Sequence, residues 1–216
     1  MLREIDLKAG TWLRYDPCWL PAAEATALLA ALLAEVDFEE RPVITGETVI
    51  MQPRRVGWAG ELPYHYSGQT LPPRQVGPVL AALWPRIEEA VGARFNHAVV
   101  NRYRDGRDHM GLHADNEPEL GRQPVIAALS LGATRDFRLE LKHRRAVKRT
   151  LRLPHGSLLV VGGACQHKWR HAVPRAPAEV GERLNVTFRW LHGPPGWRAP
   201  EARTETAPPE EPAEDE

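Results

Sequence analysis

The sequence predicts an α+β fold, mainly β, in which two helices precede an antiparallel barrel or jelly roll. Two segments before Phe95 carry apolar residues at helical spacing, and six short apolar or alternating runs follow it. Gly, Pro or charged turns separate those runs, which favours antiparallel connections. The 216 residues, 43% of them hydrophobic, can bury one good core but hardly two, so we expect a single domain.

Both predicted helices lie in the N-terminal part of the chain. The first occupies PAAEATALLAALLAEV, where Pro21 opens the helix and leucines recur at helical spacing. The second runs from Gly77 to Val91, and Gly92 supplies its stop. Pro85 lies inside this second helix and could kink it. We therefore expect the helices first and the strands afterwards.

Six strands are predicted after Phe95, in FNHAVVNRYR, PVIAALSLG, DFRLELK, AVKRTLRLP, GSLLVVGG and RLNVTFRWL. The last run is the most informative because its residues alternate. Alternation divides the run into two faces, Leu184, Val186, Phe188 and Trp190 on one and Arg183, Asn185, Thr187 and Arg189 on the other. A polar face with two arginines is typical of a solvated sheet surface, but it also suits a ligand site.

Composition excludes several classes of protein. Two cysteines are too few for a disulfide framework, and no apolar run reaches the roughly 18 residues that a membrane span needs. The segment MLREIDLKAG lacks the apolar core of a secretory signal, so a cytoplasmic protein with no membrane partner is expected. We also expect a monomer.

The formal net charge of zero conceals an asymmetry along the chain. Residues 201–216 carry six Glu and one Asp against Arg203, a net charge of −6, so residues 1–200 carry about +6. The tail is rich in Pro, Glu and Ala, has no aromatic residue and is predicted to be disordered. The mildly basic body is compatible with a polyanionic partner such as nucleic acid.

The segment NRYRDGRDHMGLHADNE concentrates polar chemistry and contains His113 and Asp115, two positions apart. In a strand or extended loop this spacing points both side chains the same way, so an imidazole and a carboxylate can meet one ion. A His-x-Asp sequence is also common as a surface pair, and a metal site needs a third ligand. The later candidates for that ligand are His143, His155, His167, His171 and His192.

Two histidines and one carboxylate leave coordination positions open, as suits a non-haem Fe(II) that binds a chelating co-substrate and dioxygen together. A 2-oxo acid chelates a metal through its keto oxygen and one carboxylate. Its distal carboxylate needs a cation, preferably a bidentate guanidinium, and Arg183 and Arg189 could supply it. The same ligands suit a Zn²⁺ hydrolase or a non-catalytic binding module, but the paired arginines argue against both.

These motifs resemble the AlkB group of Fe(II)- and 2-oxoglutarate-dependent dioxygenases. The resemblance covers roughly Pro53 to Leu191 and rests on QPRRVGWAGELPYHYSG, NRYRDGRDHMGLHADNEPELG, IAALSLGATRDF, HGSLLVVGG and RLNVTFR. It implies a double-stranded β-helix (jelly-roll) core in about residues 95–192, with N-terminal helices and a nucleotide-recognition lid in about residues 1–94. The domain would span residues 1–200, and the acidic tail would follow at 201–216.

The resemblance also implies the reaction. Fe(II) would be the cofactor, 2-oxoglutarate and dioxygen the co-substrates, and N-alkylated bases of the 1-methyladenine and 3-methylcytosine type the targets of oxidative demethylation. Formaldehyde, succinate and carbon dioxide would be released. Alkylated DNA is the implied partner, with RNA left open. An oxygenase acting on a protein or a small molecule is the alternative.

The resemblance assigns the iron ligands to His113, Asp115 and His171. His167 lies four residues before His171 and is a competing choice. Because the motif places its ligand in a Trp-x-His context, which KWRHAVP satisfies, we predict His171 in the site and His167 on the surface.

A co-substrate site is implied in the same way. Asn101 and Tyr103, on one face of their predicted strand, resemble the hydrogen-bond donors to 2-oxoglutarate. Arg183 is expected to hold the distal carboxylate, while Asn185 and Arg189 would lie near the metal-bound end. Six residues of strand separate the two arginines, roughly 20 Å, so strand coiling and long side chains would have to bring them to one ligand.

A base in a duplex must leave its stack to reach the iron, so flat side chains are expected beside the site. Trp58, Tyr64 and Tyr66 lie in the part that resembles the lid. Tyr66 or Trp58 is the predicted stacking partner, and His113 is the predicted opposite wall. Glu117 could read an exocyclic amino group. Ordinary core packing is the alternative for each aromatic residue.

Phosphate contacts need cations, and the predicted hairpin LKHRRAVKRTLRL carries six, Lys142, Arg144, Arg145, Lys148, Arg149 and Arg152. Arg54 and Arg55 add to this set, and a solubilising turn is the alternative. The segment VITGETVIMQ has no aromatic wedge. Only Val49, Ile50 or Met51 could intercalate, so the sequence favours neither duplex nor single strands.

Overall fold

The computed structural model describes residues 1–8, 10–45, 47–66 and 68–194 of the chain. The elements within those ranges follow in this order: β1 (Arg3–Lys8), β2 (Thr11–Asp16), α1 (Ala22–Glu35), β3 (Glu39–Thr45), β4 (Thr48–Gly60), β5 (Tyr64–Tyr66), β6 (Gln69–Leu71), α2 (Pro78–Val91), β7 (His97–Tyr103), β8 (Met110–His113), β9 (Ile126–Gly132), β10 (Arg135–Leu141), β11 (Arg144–Leu153), β12 (Ser157–Gly163), α3 (Cys165–Lys168), β13 (Trp169–Val173) and β14 (Arg183–Arg189). The tail predicted to be disordered, residues 201–216, lies outside the described residues.

The two long helices form where the sequence predicts them. α2 runs unbroken through Pro85 and ends at Gly92, whose φ of 71° lies in the left-handed region that glycine favours. Glu35, the last residue of α1, accepts hydrogen bonds from the backbone N–H of Val79 at 2.7 Å and of Leu80 at 3.1 Å. The side chain at the end of α1 therefore caps the N-terminus of α2. In the ranges given above, neither helix has the length and apolar character needed to cross a membrane.

Eight strands form the larger sheet, in the order β1-β2-β12-β9-β14-β7-β4-β3, with antiparallel pairing throughout. The six predicted strands are confirmed as β7, β9, β10, β11, β12 and β14. The expectation that helices come first and strands afterwards is wrong, because β1 to β4 precede residue 61 and belong to this sheet. Residues 56–60 of β4 are all buried, so they lack the alternation that marks a strand with one exposed face.

Four strands form the smaller sheet, in the order β11-β10-β13-β8. Phe137 and Leu139 of this sheet pack with Leu159 and Val161 of the larger one in a single apolar cluster. α1 and α2 pack on the opposite face of the larger sheet in a second cluster. Helices, larger sheet and smaller sheet thus form three layers, and the mainly β, jelly-roll architecture agrees with the predicted fold class.

The alternation predicted for the last strand determines which side chains lie between the sheets. In β14, Leu184 and Phe188 belong to the cluster on the helix side. Asn185 and Arg189 line a cavity between the two sheets. The polar face is therefore internal and not a solvated surface, because the smaller sheet covers it.

Candidate metal centre and co-substrate site

Three donor side chains meet in the cavity between the sheets. His113 ends β8, Asp115 follows two residues later, and His171 lies in the middle of β13. The antiparallel register places His171 directly opposite His113, with the ring centroids 4.2 Å apart. One donor atom from each residue lies within 4.8 Å of the other two. The fold thus brings together the three residues that the resemblance assigns to iron.

The protonation states of this group suit a metal cation. His113 Nδ1 donates to the carbonyl oxygen of Gly111 at 2.9 Å, which leaves Nε2 as the free ligand atom. Burial, and next the neighbouring His113, lowers the pKa of His171 to about 3, so this imidazole is neutral at pH 7. Burial alone would raise the pKa of Asp115, but the Arg189 guanidinium holds it well below its usual range. Asp115 is therefore ionised.

Asp115 uses one oxygen to bind arginine and presents the other to the histidines. Oδ2 accepts hydrogen bonds from Arg189 Nη2 at 2.7 Å and from Nε at 3.2 Å. Oδ1 is buried, has no hydrogen-bond partner among the described residues and lies 3.5 Å from His113 Nε2. A buried polar atom without a partner needs an explanation, and a cation held by Oδ1 and the two imidazoles provides one. Two histidines and one carboxylate fit Fe(II).

His167 does not belong to this group. Its side chain is exposed, and Nε2 contacts the carbonyl oxygen of Arg122. The prediction that His167 is a surface residue and that His171 faces the site is confirmed.

Polar residues of β7 and β14 line the cavity beside the three donors. Asn101 and Tyr103 share the inner face of β7, as alternation predicts, and lie opposite Asn185 and Arg183 in the register of β14. Arg54 Nε donates to Asn101 Oδ1 at 2.8 Å. Because Arg54 occupies that oxygen, the NH₂ group of Asn101 is the part of the amide left to meet a ligand oxygen.

Arg183 lies directly behind Tyr103 and Asn185 and is not itself on the cavity wall. Its Nη2 donates to Ser130 Oγ at 2.8 Å and to Asn185 Oδ1 at 2.9 Å. Nε and Nη1 are buried and have no hydrogen-bond partner within the part of the chain that is described. Burial lowers the pKa of Arg183 to about 10, so the guanidinium is charged at pH 7. A buried cation with two unused donors predicts an anionic partner.

The two arginines of β14 have different partners. Arg189 binds the carboxylate of Asp115, whereas Arg183 lies at the other end of the same strand face beside Tyr103. The two arginines therefore do not have to reach the same ligand, and the six residues of strand between them need not be shortened by strand coiling. One arginine orients the candidate ligand, and the other has donors available for a ligand anion.

The prediction that Trp58 stacks on a base is wrong. Its side chain is 3% exposed, and Nε1 donates to the carbonyl oxygen of Pro72 at 2.7 Å. The Arg74 guanidinium lies 3.7 Å from the centre of the ring, and the Arg41 guanidinium lies 5.0 Å from it. Trp58 is therefore part of the core, which was the alternative interpretation.

Tyr64, the other described aromatic candidate for substrate binding, is also fully buried, so that assignment is wrong as well. Its ring meets His97 edge-on, with centroids 5.2 Å apart, and the Arg189 guanidinium lies 5.6 Å from its centre. Tyr64 thus packs behind the arginine that holds Asp115. The side chain of Tyr66 lies outside the described part of the structure, and its stacking role stays a prediction.

Arg54 and Arg55 point in opposite directions because they are neighbours in β4. Arg54 is 3% exposed and contacts Asn101, so its predicted phosphate contact is wrong. Arg55 is partly exposed and pairs with Glu40 at 3.3 Å. Glu117 is half-buried, and burial followed by the charge of Asp115 raises the pKa of its carboxyl group. Its role in base recognition stays a prediction.

The predicted basic hairpin is confirmed as β10 and β11, which pair along most of their length. Arg144 is exposed on it, and the side chain of Arg145 lies outside the described residues. Lys148 and Arg149 border a groove that crosses the smaller sheet to β8. Met110 of β8 lines both this groove and the cavity. Cations of the hairpin therefore lie along a surface that begins beside the candidate metal centre.

Two residues that contact the candidate site were not predicted from the sequence. Ser130 Oγ accepts a hydrogen bond from Arg183, and Gln166 Oε1 accepts one from the backbone N–H of Asp115. Ser130 interrupts the apolar run IAALSLG, and a single polar residue in a buried strand is a usable signal. Gln166 lies in the single helical turn α3, where no periodic pattern marks it.

The free energy of unfolding of the metal-free protein is expected to fall as the pH drops below about 6.5, the ordinary pKa of histidine. Burial, chiefly, lowers the pKa of both His97 and His171 to about 3 in the folded protein. Between those pH values the unfolded chain binds more protons, so each histidine contributes a slope of up to about 1.4 kcal/mol per pH unit. Urea unfolding at pH 7 and pH 5 measures this dependence. His97→Phe should reduce it, and an unchanged pH dependence in that variant would contradict the assignment.

The fold and the site together define the class of protein. Residues 13–189, which contain all three donors, match the family described as the 2OG-Fe(II) oxygenase superfamily, and the chain belongs to it. The solved structure of OsALKBH1 is similar to this fold with a TM-score of 0.62 over 87% of this chain and 100% of that chain. At 16% sequence identity this similarity supports the fold alone.

Two groups of relatives show which family within the superfamily the chain belongs to. Human "Alpha-ketoglutarate-dependent dioxygenase alkB homolog 3" is 38% identical over 188 residues, which is 83% of this chain and 66% of that protein. Mouse "DNA oxidative demethylase ALKBH2" is 37% identical over 184 residues, 77% of this chain and 75% of that protein. Within the superfamily, the chain belongs to the AlkB family. It spans slightly less than two thirds of the human and rat homolog 3 proteins, 66% and 64%.

Proposed function

We propose that this protein is an Fe(II)- and 2-oxoglutarate-dependent dioxygenase that demethylates N-alkylated bases in nucleic acid. The observation that carries the proposal is a set of unused polar atoms on two charged side chains around one cavity. Among the described residues, Asp115 Oδ1 has no hydrogen-bond partner beside the imidazoles of His113 and His171, and Nε and Nη1 of Arg183 have none behind Tyr103 and Asn185. A cation at the first point and a dicarboxylate reaching the second would match both. The names of the ALKBH2 relatives support alkylated DNA as the substrate.

Ferrous iron, when bound, supplies the dioxygen chemistry that couples oxidative decarboxylation of 2-oxoglutarate to oxidation of the alkyl group. The protein's part is to hold and orient the reactants. His113, Asp115 and His171 would hold the metal. Arg189 keeps Asp115 ionised and fixes Oδ2, so that Oδ1 faces the imidazoles. No acid or base catalyst is required of the chain.

The co-substrate would lie against the inner face of β7 and β14, in the cavity between the two sheets. Arg183 would bind its distal carboxylate through Nε and Nη1, and Asn101 and Tyr103 would donate hydrogen bonds to its oxygens. Arg54 orients the Asn101 amide for this task by occupying its oxygen. Apolar residues of both sheets, among them Phe137 and Leu159, complete the cavity wall and exclude water.

We propose that β3–β6 belong to the nucleotide-recognition lid expected within about residues 1–94. The short β5–β6 hairpin of this lid reaches the loop that follows Asp115, where His65 of β5 contacts Glu119. On the same loop Glu117 adjoins Asp115, and we propose that it reads an exocyclic amino group of the base. His113, with its side chain 26% exposed, is the member of the metal group that a base can approach.

The proposed function is tested by incubating the full chain with Fe(II), 2-oxoglutarate and one of four kinds of oligonucleotide. These are methylated DNA, unmethylated DNA, methylated RNA and unmethylated RNA, and the methylated ones contain 1-methyladenine or 3-methylcytosine. Formaldehyde and succinate are expected in equal amounts with the methylated oligonucleotides, and the DNA and RNA arms show which polymer is preferred. Succinate without formaldehyde from every oligonucleotide would favour a protein or small-molecule substrate. No succinate in any arm would overturn the proposal.

Removing single cations from the hairpin is expected to weaken oligonucleotide binding without changing sequence preference. Arg144→Ala and Arg149→Ala should each reduce the slope of log K against log salt concentration by about 0.7 for single strands, because each contact releases counterions. Fluorescence anisotropy across a salt series measures the slope. Arg94→Ala is the matched control, since Arg94 is an exposed arginine that follows α2 and pairs with Glu88. Unchanged slopes in both hairpin variants would remove the hairpin from the interface.

A further inference from the structure

We propose that Gln166 is a positioning residue for the metal-binding carboxylate of Asp115. Gln166 is buried and lines the same cavity as the three donors. Its Oε1 accepts a hydrogen bond from the backbone N–H of Asp115 at 3.0 Å. The inference rests on the proposed metal site and adds a residue that touches neither metal nor substrate.

Asp115 needs this acceptor because strand pairing ends before it. The β8–β13 ladder pairs Met110 with Val173 and His113 with His171, and β8 ends at His113. Asp115 lies two residues beyond that end and is only 3% exposed. A buried backbone N–H requires a partner, and here a side-chain amide takes the place of the next strand carbonyl.

Gln166 is itself fixed between the segments that carry the ligands. It belongs to α3, which leads directly into β13 and therefore into the strand that holds His171. The backbone carbonyl oxygen of Gln166 accepts a hydrogen bond from Lys142 Nζ at 2.9 Å, which connects the helical turn to the end of β10. The contact to Asp115 thus joins the loop of one ligand to the element that carries another.

Two contacts together determine where the free carboxylate oxygen points. Arg189 holds Oδ2, and Gln166 holds the backbone of the same residue. Both ends of Asp115 are therefore fixed, which leaves Oδ1 directed towards the imidazoles. Removal of the backbone contact would let the loop shift. Outer-shell partners of metal ligands typically change metal affinity by about 10- to 100-fold.

Titration of the metal-free full chain with Co²⁺ tests the proposal. Gln166→Met keeps the size of the side chain but removes the acceptor, and we expect Co²⁺ to bind at least about tenfold more weakly. The Co²⁺ d–d absorption bands should change in the Met variant, because a displaced carboxylate alters the coordination geometry. Thermal unfolding without metal records any general loss of structure.

His167→Ala is the matched control in the same helical turn, because it removes an exposed contact to Arg122 and leaves Gln166 in place. It should bind Co²⁺ as the wild type does. If Gln166→Met does not fold, Gln166→Asn replaces it with the same expected loss, because its shorter amide cannot reach Asp115. Wild-type affinity and spectra in the Met or Asn variant would overturn the role of Gln166. Failure of the wild type itself to bind Co²⁺ would instead contradict the metal site.

Discussion

Asp115→Ala is expected to abolish iron-dependent turnover and to lower the free energy of unfolding by about 3–5 kcal/mol. Turnover is lost because the only carboxylate of the candidate metal group is removed. Stability is lost because Asp115 and Arg189 form a buried ion pair, and the guanidinium would be left without its partner. Succinate release and urea unfolding of the same preparation measure the two effects.

The double variant Asp115→Ala/Arg189→Met separates the two effects. Removing both charges should restore much of the stability, since an apolar side chain of similar length fills the site without a buried charge. Turnover should stay absent because the ligand is still missing. Full turnover in Asp115→Ala would contradict the metal site, and unchanged stability would contradict the buried ion pair.

Arg183→Met is expected to weaken 2-oxoglutarate binding at least about a hundredfold while metal binding is retained. Two charge-assisted hydrogen bonds to the distal carboxylate would be lost, each contributing about 1.5–3 kcal/mol. The ligand-free variant should be at least as stable as the wild type, because Arg183 is a buried cation and two of its donors have no partner in the described part of the chain. Calorimetric titration of 2-oxoglutarate into Mn²⁺-loaded protein measures the affinity.

Arg138→Met is the control for this prediction, since Arg138 is an exposed arginine of β10 on the smaller sheet. It removes the same charge without altering the cavity and should bind 2-oxoglutarate as the wild type does. Wild-type affinity in Arg183→Met would show that the distal carboxylate lies elsewhere. A metal-free Arg183→Met that unfolds much more easily would assign the guanidinium a structural role.

Several parts of the site could be predicted because they follow local rules. The spacing of His113 and Asp115 places both donors on one side of an extended chain, and alternation in β14 directs Arg183 to the inner face beside Tyr103. The helices carry their own start and stop residues, such as Gly92 at the end of α2. These features depend on neighbours within a few positions, which sequence patterns record.

The residues that could not be predicted depend on partners far away in the chain. Trp58 and Tyr64 are aromatic residues of a predicted lid, but β4 lies between β3 and β7 in the larger sheet, and Tyr64 packs behind Arg189. Packing against these distant parts of the chain buries both aromatic side chains. Arg54 looks like Arg55 in sequence and differs only in the face of β4 that it occupies. Gln166 contacts the backbone N–H of Asp115 because the β8–β13 ladder ends two residues before Asp115.

A crystal structure of the full chain with Mn²⁺ and 2-oxoglutarate tests the central claim most directly. Mn²⁺ replaces Fe²⁺ as a stable ion with similar ligand preferences, and its anomalous scattering locates it independently of the protein atoms. We predict one ion bound by His113 Nε2, Asp115 Oδ1 and an imidazole nitrogen of His171, with the distal carboxylate on Arg183. An ion bound at other residues, or a 2-oxoglutarate that does not contact Arg183, would contradict the account.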